Sequence, residues 1–261
     1  MTETPGSVRA PGVLRLVPNT LDFGTPGHAP DLQDVLPLGV IRIAAGLGHW
    51  IAENAKTTRA FLKRVDAIVT LAQPLQAISI VELPRPPKGS RPVDPFDAGA
   101  LLAPARAGHD MGLLSEAGLP AVADPGAAVV AAAHAQGLHV DPLPGASSLL
   151  LALAASGMNG QSFAFVGYLP TEPVARAARI RELEGDSRRL AQTQLIIETP
   201  YRNAALLAAL VECLQPTTRL SVACGLTLPV CRIHSRSVAD WRRHPTALPG
   251  DVPAVFSVLA A

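Results

Sequence analysis

The sequence predicts an α/β fold in two domains. In the first half, short apolar runs alternate with helix-length stretches, the pattern of a parallel sheet with crossover helices. The second half carries its own set of apolar strands. The composition agrees: 48% apolar and 16% charged residues over 261 positions can fill two cores, and the charge is too sparse for a disordered chain or a coiled coil.

Taken in order, 14–17 (LRLV) reads as the first strand, stopped by Pro18. VIRIAA at 40–45 reads as the second, and 50–65 as the helix after it. In that helix Ile51, Ala55, Phe61, Leu62 and Val65 form the expected buried stripe, while Lys56, Arg59 and Lys63, three and four apart, share a basic face. PRPPKGSRPVDP at 84–95 is expected to be an irregular surface loop. A helix over 96–107 and a strand at 111–114 lead into SEAGLPAVADPG, 115–126. There Asp124 is the expected N-cap, with Pro125 at the first helical position, of a helix at 126–136 that Gly137 ends. A strand at 138–143 repeats the design: Pro144-Gly145 turns the chain, and Ser147 or Ser148 opens the next helix. Further strands follow at 163–167, 194–198, 220–224 and 254–260, with helices at 171–190 and 202–214. We place an N-terminal α/β domain with a parallel sheet at 12–144 and a C-terminal α/β domain with a mixed sheet at 145–261.

A net charge of +1 argues against a chain-wide polyanion-binding surface and still allows a local basic patch. The start, MTETPGSVRAPG, lacks the apolar core of a signal peptide, and His, Pro or Gly interrupts every long apolar run. The expectation is a cytoplasmic protein without membrane attachment. Cys213, Cys224 and Cys231 lack CxxC spacing and read as plain buried thiols. The seven histidines show no HxxxH or HExxH spacing, so no metal site is expected; His49 is the one expected just beyond a strand end.

The two small, polar βα turns at 115–126 and 144–148 would stand beside one crevice at the carboxyl ends of parallel strands, where open α/β sheets bind ligands. Small residues let a ligand approach the backbone, and free N–H groups at helix starts can hold its polar atoms. Neither turn has GxGxxG or GxxxxGK[ST] spacing, which argues against a dinucleotide or P-loop site. On this chemistry alone, ordinary tight turns remain the other reading.

SEAGLPAVADPG, PLPGASSLLLALAASG, FVGYLP and IIETPYR, in that order, resemble the tetrapyrrole methylase superfamily, the class III S-adenosylmethionine-dependent methyltransferases. Within it they resemble the bacterial 16S ribosomal RNA cytidine 2′-O-methyltransferases. The resemblance runs from VLRLVPNTL through IAENAKTTRAFL to DVPAVFSVLA. It implies two α/β domains with the cofactor, S-adenosylmethionine, in a cleft between them, no metal, a homodimer, and ribose 2′-O-methylation of ribosomal RNA. Carried over, Pro18 stands where relatives contact cofactor or substrate. Ser115, Glu116 and Ala117 match the loop along the methionine side, and Ser147 and Ser148 match the paired small hydroxyl residues. Glu198, Thr199 and Pro200 match the strand end that covers the ligand, and Leu226 a backbone contact to adenine. Glu116 could pair with the cofactor's ammonium; Glu198 could instead serve as a cap or as a partner for Arg202. Lys56 and Arg59 are the candidate acceptor contacts. No general base is singled out.

The chain departs from the branch at Glu116, where Asp is usual, and in AENAKTTRAFL, which loses an acid at Asn54. Thr171-Glu172-Pro173 stands where RNA-modifying relatives tend to be basic. The arginines after it, at 176, 179, 181, 188 and 189, are either an RNA track or a solvated face, the latter with pairs Glu172–Arg176 and Glu184–Arg188. A small-molecule or tetrapyrrole-like acceptor, and a cofactor-binding module without activity, are the competing functions.

Overall fold

The computed structural model describes residues 10–22, 30–84 and 96–261. His28, and the expected loop at 84–95 from residue 85 on, lie outside the described residues. The chain divides into two compact units, Met1–Ala146 and Ser147–Ala261.

Unit 1 runs β1 (Val13–Val17), α1 (Leu32–Val35), α2 (Leu38–Gly46), β2 (His49–Ala52), α3 (Ala55–Asp66), β3 (Ser79–Glu82), α4 (Ala103–Arg106), β4 (Met111–Leu114), α5 (Ala127–Ala135) and β5 (His139–Pro142). Its strands form one parallel sheet in the order β3-β2-β4-β1-β5. One face packs Trp50 against Ile41, Phe61 and Leu62 of α2 and α3. The other packs Leu14, Met111 and Leu113 against Ala105, Val129 and Ala133 of α4 and α5.

Four expectations for this unit are corrected. VIRIAA is helix, not strand: Val40, Ile41, Ala44 and Ala45 are buried while Arg42 is exposed, a single helical stripe and not an alternation. The strand lies later, at β2, where the Trp50 ring lies over Gly112 of β4; a Cβ on that glycine would sit 2.5 Å from the ring. Helix α3 therefore starts at Ala55, capped by Asn54, whose Oδ1 accepts from the Lys56 N–H at 2.9 Å. Ile51 belongs to the sheet, and the stripe is Thr58, Phe61, Leu62 and Val65. The helix expected at 96–107 shrinks to a 3₁₀ turn, Ala100–Leu102, and the single turn α4, because Pro104 cannot donate to Ala100. Asp124 is not a cap. Helix α5 begins at Ala127 after Gly126, whose φ of 128° suits glycine.

Unit 2 runs α6 (Ser148–Ser156), β6 (Phe163–Gly167), α7 (Pro173–Leu190), β7 (Thr193–Glu198), α8 (Asn203–Cys213), β8 (Arg219–Cys224), β9 (Arg232–Ser237), α9 (Val238–Arg243) and β10 (Ala254–Leu259). The sheet order is β6-β7-β10-β8-β9, with only β6–β7 parallel. Helices α7 and α8 cover one face through Ile180, Leu183, Leu206 and Leu210 against Phe256. Helix α6 covers the other through Leu149 and Leu153 against Leu195 and Val255. The pairs expected in α7 do not form as ion pairs. Glu172 instead caps the helix by accepting from the N–H groups of Val174 and Ala175. Glu184 is buried and accepts from the Gln215 N–H and the Thr218 hydroxyl.

Candidate functional site

In unit 1 the chain leaves the neighbouring strands β1 and β4 in opposite directions. The β1-to-β2 connection passes over β4, and the β4-to-β5 connection passes over β1. Such a reversal opens a crevice at the carboxyl ends of the two strands. Pro18 follows β1 there, and Ser115, Glu116 and Ala117 follow β4. The turn after β5 reaches the same place, since a Cβ on Gly145 would lie 2.4 Å from Pro18 Cβ.

Asn19, which sequence reasoning passed over, holds this rim together. Its buried Nδ2 donates to the carbonyls of Ser115 (3.1 Å) and Glu116 (3.0 Å), and its Oδ1 accepts from the Thr20 N–H. The Asn19 N–H donates to Gly118 O, and the Gly118 N–H to Thr20 O. Beside it, buried Asp22 pairs with Arg64 at 3.1 Å, and Arg64 also donates to Pro30 O.

Three carboxylates gather at the rim. Glu116 Oε1 accepts from the Thr57 hydroxyl at 2.8 Å, and the Glu116 N–H donates to Glu53 Oε1 at 3.2 Å. Burial, with Glu53 and Glu116 as like charges nearby, pushes the Asp124 carboxyl up to about 7. The loop carrying Glu116 and Asp124 is held under strain: Ala121 (φ 66°) and Ala123 (φ 64°) both sit in the left-handed region, at about 1–2 kcal/mol each for a residue with a Cβ. Ser115 Oγ is buried with no partner among the described residues. Lys56, Arg59 and Lys63 are exposed on α3, whose first turn starts two residues after Glu53.

In unit 2 the register Glu198↔Ala254↔Cys224 sets the ends of β7 and β8 at one edge of the sheet. Ser147 occupies the N-cap position of α6 and its side chain makes no capping bond, while the half-buried Leu226 packs against the cluster that joins α6 to the sheet. Glu198 is 3% exposed and committed elsewhere. Its Oε1 accepts from the Thr199 N–H (2.8 Å) and hydroxyl (3.2 Å). Its Oε2 lies 2.9 Å from Arg202 Nη2, an ion pair outside hydrogen-bond angles. The partner-for-Arg202 alternative is thus the observed arrangement, and the pair fixes the Thr199-Pro200 turn.

His49 does not lie beyond a strand end. It is the first residue of β2, at the edge of the sheet opposite the rim, 5.1 Å from the His109 ring; burial and His109 lower its pKa. Among the described residues, no group of three or more His, Cys, Asp or Glu side chains is placed to hold a metal ion, and no helix is long and apolar enough to cross a membrane.

The sequence profile of the Tetrapyrrole (Corrin/Porphyrin) Methylases matches residues 45–240. Among curated proteins, the chain is similar to a "Ribosomal RNA small subunit methyltransferase I" of Xylella fastidiosa, 40% identical over 103 residues, 40% of this chain and 36% of that one. A protein of the same name from Mesorhizobium japonicum is 36% identical over 127 residues, 49% of this chain and 42% of that one. The chain thus spans less than half the length of these curated relatives. The crystal structure of the methyltransferase CobJ shares the fold, with a TM-score of 0.54 at 19% identity over 97% of this chain and 95% of that one.

Proposed function

Because this chain belongs to the tetrapyrrole (corrin/porphyrin) methylase family, we propose that it transfers a methyl group from S-adenosylmethionine to ribosomal RNA, at a ribose 2′-hydroxyl. The observation that carries the cofactor reading is the rim of unit 1. Glu53, Glu116 and Asp124 repel one another there, and the Ser115 hydroxyl is buried without a partner. A cationic ligand with polar atoms fits that set, and S-adenosylmethionine carries both an ammonium and a sulfonium. When bound, it supplies a methyl group on positively charged sulfur, so the protein's task is chiefly to align the acceptor oxygen.

Pro18, Ser115, Glu116 and Ala117 hold the cofactor on the unit 1 rim. On the family resemblance, Ser147, Ser148, Glu198, Thr199, Pro200 and Leu226 are the cofactor-contact candidates within unit 2, and Glu198 holds Thr199 directly by accepting from its N–H and hydroxyl. Lys56 and Arg59, unpaired with any acid among the described residues, take the phosphates of the acceptor. The ribosomal RNA reading is supported by the names of the relatives. The protein acts in the cytoplasm as a homodimer. The test joins calorimetry with labelled transfer: binding near −8 kcal/mol, a micromolar affinity, is expected, together with methyl incorporation into small ribosomal subunits. No binding at millimolar cofactor ends the cofactor reading. Labelling of a small-molecule extract in place of RNA ends the acceptor reading.

A further inference from the structure

The five arginines of α7 differ in what holds them. Arg179 pairs with Glu182 at 2.6 Å, and Arg189 with Asp186 at 2.8 Å. Arg188 donates from Nε to Ala261 O at 3.0 Å. Arg176 and Arg181 have no carboxylate within ion-pair distance among the described residues. Both line a groove of about 370 Å³ between α7 and α8. Arg176 reaches the Thr171 carbonyl at 3.4 Å, and its Nε is buried with no partner. The one acid lining the groove, Glu212, pairs with neither guanidinium. Ala177 and Ala209 are its small side chains and leave it open.

Two guanidinium groups against one carboxylate leave the groove net positive in a chain that is nearly neutral as a whole. Both are forks suited to phosphate oxygens. Five residues along a helix separate them by about 7.5 Å of axial rise, a spacing that successive phosphates of one strand can bridge. Resting on the RNA reading above, we propose that this groove binds the phosphodiester backbone of single-stranded RNA through Arg176 and Arg181, and that the other three arginines take no part.

The test is fluorescence anisotropy of the full chain with a labelled single-stranded oligoribonucleotide of mixed sequence, across a range of salt. Two lost phosphate contacts should weaken binding about twenty-fold at roughly 100 mM salt and make the log–log salt slope shallower by about 1.4. That result is expected for Arg176→Gln with Arg181→Gln. Arg179→Gln with Arg189→Gln should stay within about two-fold of the parent, their charges being already neutralised by neighbours. Thermal melts and S-adenosylhomocysteine calorimetry, unchanged in both pairs, keep folding and the cofactor rim out of the comparison. Equal losses in the two pairs, an unchanged slope in the groove pair, stronger competition by polyglutamate than by RNA, or no RNA binding by the parent each overturn the proposal. Methyl transfer to small ribosomal subunits separates the failures. Transfer by parent and groove variant with the same KM removes the groove and leaves the function standing; no transfer by the parent removes the function itself.

Discussion

The Asp124 carboxyl makes the stability of unit 1 depend on pH in an unusual direction. Its folded value of about 7 stands above the ordinary 3.8, so between those limits the folded chain holds a proton that the unfolded chain has released. Stability is therefore present at acid pH and is lost as pH rises from about 4 to about 7. The full displacement would correspond to about 4 kcal/mol. Asp124 is partly open to solvent, which screens the field of Glu53 and Glu116, so about 2 kcal/mol is the expected loss. Asp124→Asn should match the parent only below about pH 4, pull ahead as pH rises toward 7, and exceed it by about 2 kcal/mol at pH 8. Urea unfolding read by Trp50, with Trp241→Phe in both proteins so that unit 1 alone reports, measures this directly. Equal stabilities at pH 8 would refute the placement of Asp124 among like charges. The same cluster ties cofactor to proton. S-adenosylmethionine binding should be tighter at pH 8 than at pH 6 and should release protons, and Asp124→Asn should flatten that dependence.

Three further outcomes are expected. Gly112→Ala forces a Cβ to 2.5 Å from the Trp50 ring; a loss of about 2–3 kcal/mol in urea unfolding is expected, and an unmoved midpoint contradicts the packing described. Asn19→Ala leaves the carbonyls of Ser115 and Glu116 without their buried donor; about 2 kcal/mol should be lost, with faster amide exchange at Gly118 and weaker cofactor binding, and unchanged exchange there would deny Asn19 its clamping role. Charge reversal of Lys56 and Arg59 should leave cofactor affinity intact and raise the KM for an RNA acceptor, with a shallower salt dependence; unchanged transfer returns that face of α3 to solvent.

What was legible in the sequence follows from where each signal is stored. Strands β7, β8 and β10 are buried runs in the middle of a sheet, so their apolar letters announce them. Strand β9, RIHSRS, carries one aliphatic residue and is a strand because β8 pairs with it from Arg219↔Ser237 to Cys224↔Arg232. VIRIAA was misread because six residues are too few to separate a helical stripe from a strand run by composition. The turn at 115–126 stood out as a small, polar interruption between apolar runs. Its electrostatics did not: Glu53 lies 63 residues before Glu116, and Asn19 reaches its acceptors across 96 and 97 residues. An Asn placed directly after a strand-ending proline was the one local hint of that clamp.

The order of strands in unit 1 also sets a timetable for synthesis. β1 is the first strand of this sheet to be made, yet both of its neighbours come late: Arg15 bonds to Asp110 and Asp141, 95 and 126 residues further on. At typical elongation rates the chain takes about 5 to 25 s to produce them. Through that interval Leu14, Leu16 and Val17 have no strand on either side. The edge pair β2–β3 can form in the meantime, but the sheet closes only when its oldest strand is inserted between its youngest two. Over the 95 to 126 residues of synthesis that separate them, β1 is therefore an apolar strand without its partners, open to pairing with whatever else the nascent chain meets.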